Sequence, residues 1–239
     1  MKTALALGAI SALTLAPVFG QQAANHGDPF TPVGWLTVNR VHVRTGVKPE
    51  LTWSIQYPKT VHDIVDIDPE TDKIVPKQKT RMEVRVVGAA FQVGATHTPV
   101  ALQARVGSGS SWEPLFFGAD NTVNPSDVVL NQVVEAGTTV DFAAQAQRLN
   151  GSWYSSRNTL SPNPTVQAMT KGDSVPHYVP AYQQGTVESF LTSYIDADNF
   201  VTVGPRDVIY LFELYSNNPT SSYFDMQDIV VVVTFHDVD

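Results

Sequence analysis

The chain of 239 residues has no cysteine. That absence excludes a small disulfide-stapled secreted scaffold, a thiol nucleophile and a cysteine-anchored lipoprotein, so stability has to come from packing or from a bound metal. Basic residues are scarce too: 15 Lys and Arg stand against 23 Asp and Glu, for a formal net charge of −8. Nucleic acid and anionic membranes are poor partners for such a surface. Histidine occurs only at positions 26, 42, 62, 97, 177 and 236, with no His-x-His or His-x-x-x-His pair of the kind that ligates zinc or copper. Helical periodicity is nearly missing, and Val187 to Ile195, with Val187, Phe190, Leu191 and Tyr194 on one face, is the one segment that predicts a short helix. No apolar run approaches the roughly 20 residues that span a bilayer, so membrane insertion is not expected.

The longest early apolar run, Ala4 to Leu15, follows Lys2 and leads to a small-residue exit at Val18-Phe19-Gly20. This is the form of a secretory signal peptide, and it predicts a mature chain from about Gln21 in the periplasm, at the cell surface or in the medium. An extended arm from Gln21 to Val33, with Pro29 and Pro32, is read as a leader or as a segment that lies on a neighbouring subunit. Residues 34–239 suffice for one large β domain with a real core.

Period-two alternation recurs along that domain. Leu51, Trp53, Ile55 and Tyr57 alternate with Thr52, Ser54 and Gln56, and Met82, Val84 and Val86 alternate with Arg81, Glu83 and Arg85. Each pattern predicts a half-buried strand. The stretch from Ile229 to Phe235 is apolar on both faces until Thr234, which predicts a central strand covered on both sides or one that buries its second face on a partner. Turn chemistry sits at Asp68 to Lys73, Gly107 to Ser110, Asn150-Gly151 and Lys171 to Asp173. Many short strands with polar turns predict an all-β fold, an antiparallel, jelly-roll-like β-sandwich with at most one short helix.

No spacing in the chain marks a catalytic motif. Gly107 to Ser111 does not form the Gly-x-Ser-x-Gly elbow, and no spacing singles out a carboxylate pair for glycoside cleavage, so no catalytic residue is assigned. The acidic run Asp63, Asp66, Asp68, Glu70 and Asp72 lacks the glycine and glutamate of an EF-hand loop and reads as a charged turn.

The C-terminal segment carries more chemistry. Phe212-Glu213-Leu214 closes one strand and Asp225-Met226-Gln227-Asp228-Ile229-Val230 opens the last. Three carboxylates, Glu213, Asp225 and Asp228, converging at a strand junction would repel one another unless a cation or hydrogen-bond donors neutralise them. The segment resembles the Asp-Phe-Asn-Asp-Leu-Val signature near the end of certain bacterial extracellular β domains, with Met226 where the aromatic stands and Gln227 in place of asparagine. Those domains are associated with calcium and adhesion, so the resemblance implies calcium as the cofactor and Glu213, Asp225 and Asp228 as its ligands. The overall strand-and-turn pattern also resembles exported bacterial β proteins, which transfers no activity.

Trp112, Trp153 and Tyr154, near turns, are the aromatic residues placed to stack on a glycan or anchor a partner. Taken together, these features predict a secreted, non-catalytic surface protein of structural, adhesive or assembling kind. Its partners would be a second copy of itself or a cell-surface protein or glycan. A carbohydrate-binding module is the next reading, and a glycan hydrolase, which needs two carboxylates about 5 to 10 Å apart in a cleft, is the third.

Overall fold

The computed structural model describes residues 32–38, 46, 51–160, 162–180, 182 and 185–238. The leader at 1–20, the arm at 21–33 apart from its last two residues, and His26 and His42 lie outside the described residues. The chain begins with β1 (Val33–Val38), β2 (Leu51–Gln56) and helix α1 (Val61–Ile64), then β3 (Val65–Ile67), β4 (Ile74–Pro76) and β5 (Thr80–Gly88). Next come β6 (Gln92–Val93), β7 (Thr96–His97), β8 (Val100–Val106), β9 (Glu113–Gly118), β10 (Val128–Val134) and β11 (Val140–Ala146). The last elements are β12 (Arg157–Asn158), β13 (Val166–Met169), helix α2 (Val187–Phe190), β14 (Asp207–Phe212) and β15 (Ile229–Asp237).

Two antiparallel sheets make the sandwich. One has the order β10-β5-β15-β14-β13, and the other runs β3-β4-β11-β8-β9 with β12 added beside β11. Alternate side chains of the first sheet, among them Met82, Val84, Tyr210, Phe212, Val231 and Phe235, meet Ile74, Leu102, Val140 and Phe142 of the second in one core. The opposite faces of the same strands, through Val87, Ile209, Leu211, Val230 and Val232, pack in a second cluster with Val175, Val187, Leu191, Val201, Phe224 and Met226. Strand β15 therefore lies third of five and is covered on both sides, as its doubly apolar sequence predicts.

The polar turns fall where their sequences place them. Asp68 Oδ1 accepts the N–H groups of Glu70 and Thr71 at 3.0 Å each and so closes the β3–β4 hairpin. Gly107 and Gly109, with φ of 90° and 88°, turn the chain from β8 into β9 in a conformation that strains any residue with a Cβ.

Three features depart from expectation. There are two short helices: α2 is the predicted one, and α1 begins where Thr60 donates its N–H and hydroxyl to Asp63 at 2.8 and 2.9 Å. In α1 only Val61 and Ile64 are buried, and two apolar positions give no periodicity to read. The stretch after Asn158, for which no strand is predicted above, supplies β13, an edge strand paired with β14. And the apolar side of β2 is bare, with Leu51, Trp53, Ile55 and Tyr57 all exposed; β1 and β2 form a separate two-stranded ribbon instead of joining either sheet. Among the described residues no helix is long and apolar enough to cross a membrane.

Candidate functional site

Strands β14 and β15 pair as far as Phe212 and Ile229, and the next residue at each end is an acid, Glu213 and Asp228. The loop between them returns through Phe224 and Met226, which bury their side chains in the second apolar cluster and so tie it down. Met226 has φ 57°, a left-handed conformation that a non-glycine side chain adopts only when its surroundings hold it. The turn at Met226 brings Asp225 to the strand ends. One ligand oxygen from each of Glu213, Asp225 and Asp228 lies within 4.8 Å of the others. Among the described residues this is the one such group of three, and it joins the three positions that the sequence singles out as metal ligands.

All three acids are buried, at 0 % exposure for Glu213, 2 % for Asp225 and 4 % for Asp228. Glu213 Oε1 accepts the N–H groups of Tyr215 and Ser216 at 2.9 and 2.7 Å, and its Oε2 accepts that of Asp225 at 3.0 Å. Asp228 Oδ2 accepts the Leu214 N–H at 2.6 Å. Among the described residues no Lys, Arg or His forms an ion pair with Glu213 or Asp228. Burial, and then the charges of Glu213 and Asp225, push the Asp228 carboxyl well above the usual carboxylate range.

Gln227 adds an observation independent of the acids. Its side chain is fully buried and donates from Nε2 to Asp225 Oδ2 at 3.1 Å, yet its Oε1 has no hydrogen-bond partner. A buried carbonyl oxygen without a donor is unfavourable, and the three carboxylates near that residue form an all-oxygen donor set. That set suits a hard divalent cation, which takes six to eight oxygens and fills the remaining positions with water.

Asp225 and Asp228 also line a pocket of about 130 Å³. Its other walls include Phe91, Tyr154, Tyr182, Tyr215 and Tyr223, and these rings touch in series. Phe91 and Tyr154 have centroids 5.3 Å apart, Tyr154 and Tyr215 5.7 Å, Tyr215 and Tyr223 5.5 Å, and Tyr223 and Tyr182 6.2 Å. The arc is amphipathic, apolar in its ring faces and polar at its hydroxyls. The volume falls below the roughly 300 Å³ at the small end of organic-ligand pockets, and it suits an ion with a few waters.

Of the three aromatic residues chosen from sequence, Tyr154 lies in this arc. Trp112 instead sits under the Arg105 guanidinium at 5.2 Å, and Trp153 rests against Phe117 at 5.9 Å. Sequence reasoning missed Phe91, Tyr215 and Tyr223 as wall residues. For the two tyrosines the signal was present, since each stands two residues from an acid of the cluster.

Comparison with protein-family models, with curated proteins and with solved structures returned no match.

Proposed function

We propose that this is an exported, non-catalytic adhesive surface protein whose sandwich is braced by calcium at Glu213, Asp225 and Asp228. The observation that carries the reading is a buried set of three carboxylates with the orphaned Gln227 carbonyl beside it, opening on a pocket of ion-and-water size. The cation would be held by the three carboxylates, with Gln227 Oε1 as a neutral oxygen. It would supply positive charge where two strand ends and the connection between them place negative charge, and so make the loop rigid enough to present its aromatic rim. Rigid loops on a β-sandwich are a common way to display a binding surface.

Binding is better supported than hydrolysis. Asp225 and Asp228 are nearly inaccessible, and the pocket is too small for a pyranose to reach them. A glycan is the second ligand reading, favoured by the continuous arc of five rings, on whose most exposed members Tyr215 and Tyr223 a sugar face can stack.

Calorimetric titration of the purified chain with calcium tests the proposal. One strong site, with a higher unfolding midpoint and no heat from the Asp228→Asn variant, is expected. A chain that takes up no calcium and unfolds identically in chelator overturns the metal site. A glycan array run with and without calcium tests the second reading.

A further inference from the structure

The ribbon of β1 and β2 is written as a buried element and left bare. Register places Leu36 opposite Trp53, Val38 opposite Leu51, and Gly34 opposite Ile55, so these side chains share one face. Val33, Trp35 and Thr37 share the other face with Gln56, Ser54 and Thr52. The first face has no polar side chain, and neither strand carries a charge. On it Leu36 is 66 % exposed, Val38 44 %, Leu51 56 %, Trp53 75 % and Ile55 47 %. The body of the sandwich does not cover them. A two-stranded hairpin in water is marginal unless its apolar face packs on something, and among the described residues this ribbon has no such cover.

We propose that the partner is a second copy of the chain, packed ribbon face on ribbon face about a two-fold axis near the Leu36–Trp53 pair. The face is complementary to itself, being apolar throughout with no charge to bring into opposition, as an isologous contact requires. Its area is sufficient as well. Five large apolar side chains, each 44 % exposed or more, offer roughly 500 Å² on each copy, so the pair buries about 1,000 Å², the lower bound for a specific interface. Stacked sheets lie about 10 Å apart, which lets Trp53 of one copy fill the space beside Gly34 of the other. This inference is independent of the calcium site, which is built from residues of β14, β15 and the loop between them.

The test is light scattering of the full purified chain over a concentration series, in calcium and in chelator. A dimer in both buffers is expected, together with a monomer for Trp53→Glu and a dimer for Thr52→Glu, which places the same charge on the opposite face. Because the chain has no cysteine, Leu36→Cys and Thr37→Cys are clean probes: a short bis-maleimide should join two copies through Leu36→Cys and not through Thr37→Cys. Four results overturn the proposal. They are a monomer at every concentration, a dimer unaffected by Trp53→Glu, equal cross-linking from both faces, and association that needs calcium. A monomer that still binds calcium would leave the proposed function standing and remove only the ribbon contact.

Discussion

Across the loop that joins the two central strands, the backbone N–H of Asp225 donates to Glu213 Oε2 at 3.0 Å. The carboxylate of Glu213 thus closes its own loop, and the Tyr215 and Ser216 amides on its other oxygen close the first turn of that loop. Glu213→Ala leaves the buried Asp225 N–H and the part-buried Tyr215 and Ser216 N–H groups without their acceptor. The expected loss is about 3–5 kcal/mol, since an unmade hydrogen bond to a buried donor costs roughly 1–3 kcal/mol and the three share one site. Chemical denaturation measures it, and a loss below 1 kcal/mol would mean that the loop finds other acceptors.

Asp228 couples stability to pH, and through the proposed site to calcium, with a definite sign. Its folded carboxyl titrates above the ordinary Asp value, so between that value and the raised one the folded state holds a proton that the unfolded state has released. Stability from this group is therefore present at low pH and lost as pH rises through the window. In chelator the unfolding midpoint should fall as pH rises above the ordinary Asp value of about 4. Calcium favours the ionised form and should flatten that fall. Asp228→Asn, which keeps an acceptor for the Leu214 amide, should remove the share of the pH dependence in chelator that belongs to Asp228. It should also weaken calcium binding on the order of a hundredfold or more, beyond the usual effect of losing an outer-shell partner. Thermal unfolding across pH, with and without calcium, reads both.

Much of this arrangement was legible in the sequence, for identifiable reasons. Strand β15 betrayed its central place because a strand covered on both faces has no use for alternation, and Ile229 to Val233 has none. Glu213, Asp225 and Asp228 could be grouped because two of them flank paired strand ends, where chain connectivity alone fixes proximity. The aromatic rim was not legible as a unit. Phe91 and Tyr154 reach it from parts of the chain far from Tyr215, and nothing in a local pattern reports a contact across the sandwich. The ribbon misled for the opposite reason: alternation at Leu51 to Tyr57 says that a face is to be buried and is silent on whether the cover belongs to the same molecule.

Asp72 offers a second, separate titration. It sits in the tight turn before β4 with φ 59°, and burial, assisted by the charge of Asp68 and opposed by the Ala168 N–H, raises its carboxyl to about 6. Between about pH 4 and 6 the folded state holds the extra proton, so this group too loses stability as pH rises. Asparagine tolerates the left-handed conformation and keeps the acceptor for Ala168. Asp72→Asn should therefore stabilise the protein at pH 7 by about 1 kcal/mol, the full shift being discounted because the group is partly in water. At pH 3.5 the substitution should change nothing. Equal stabilisation at both values would point to turn geometry in place of charge.

Tyr215 and Tyr223 separate ligand binding from bracing. Their rings lie 5.5 Å apart, edge to face, and they are 52 % and 44 % exposed, so neither supports the core. Truncating exposed aromatics should change stability by no more than about 1 kcal/mol. Neither side chain is among the proposed calcium ligands, so the double variant Tyr215→Ala, Tyr223→Ala should bind calcium with wild-type affinity. If the arc presents a glycan or a partner, the same variant should lose that binding at least tenfold, because stacked and desolvated rings carry an unequal share of contact energy. Surface plasmon resonance against a ligand retained on an array, paired with calcium calorimetry on the same preparation, reads the two properties separately. Loss of calcium binding along with the ligand would show that the rim holds the acidic loop in place, and undiminished ligand binding would move the recognition surface elsewhere, with the exposed Phe117–Trp153 pair the next to substitute.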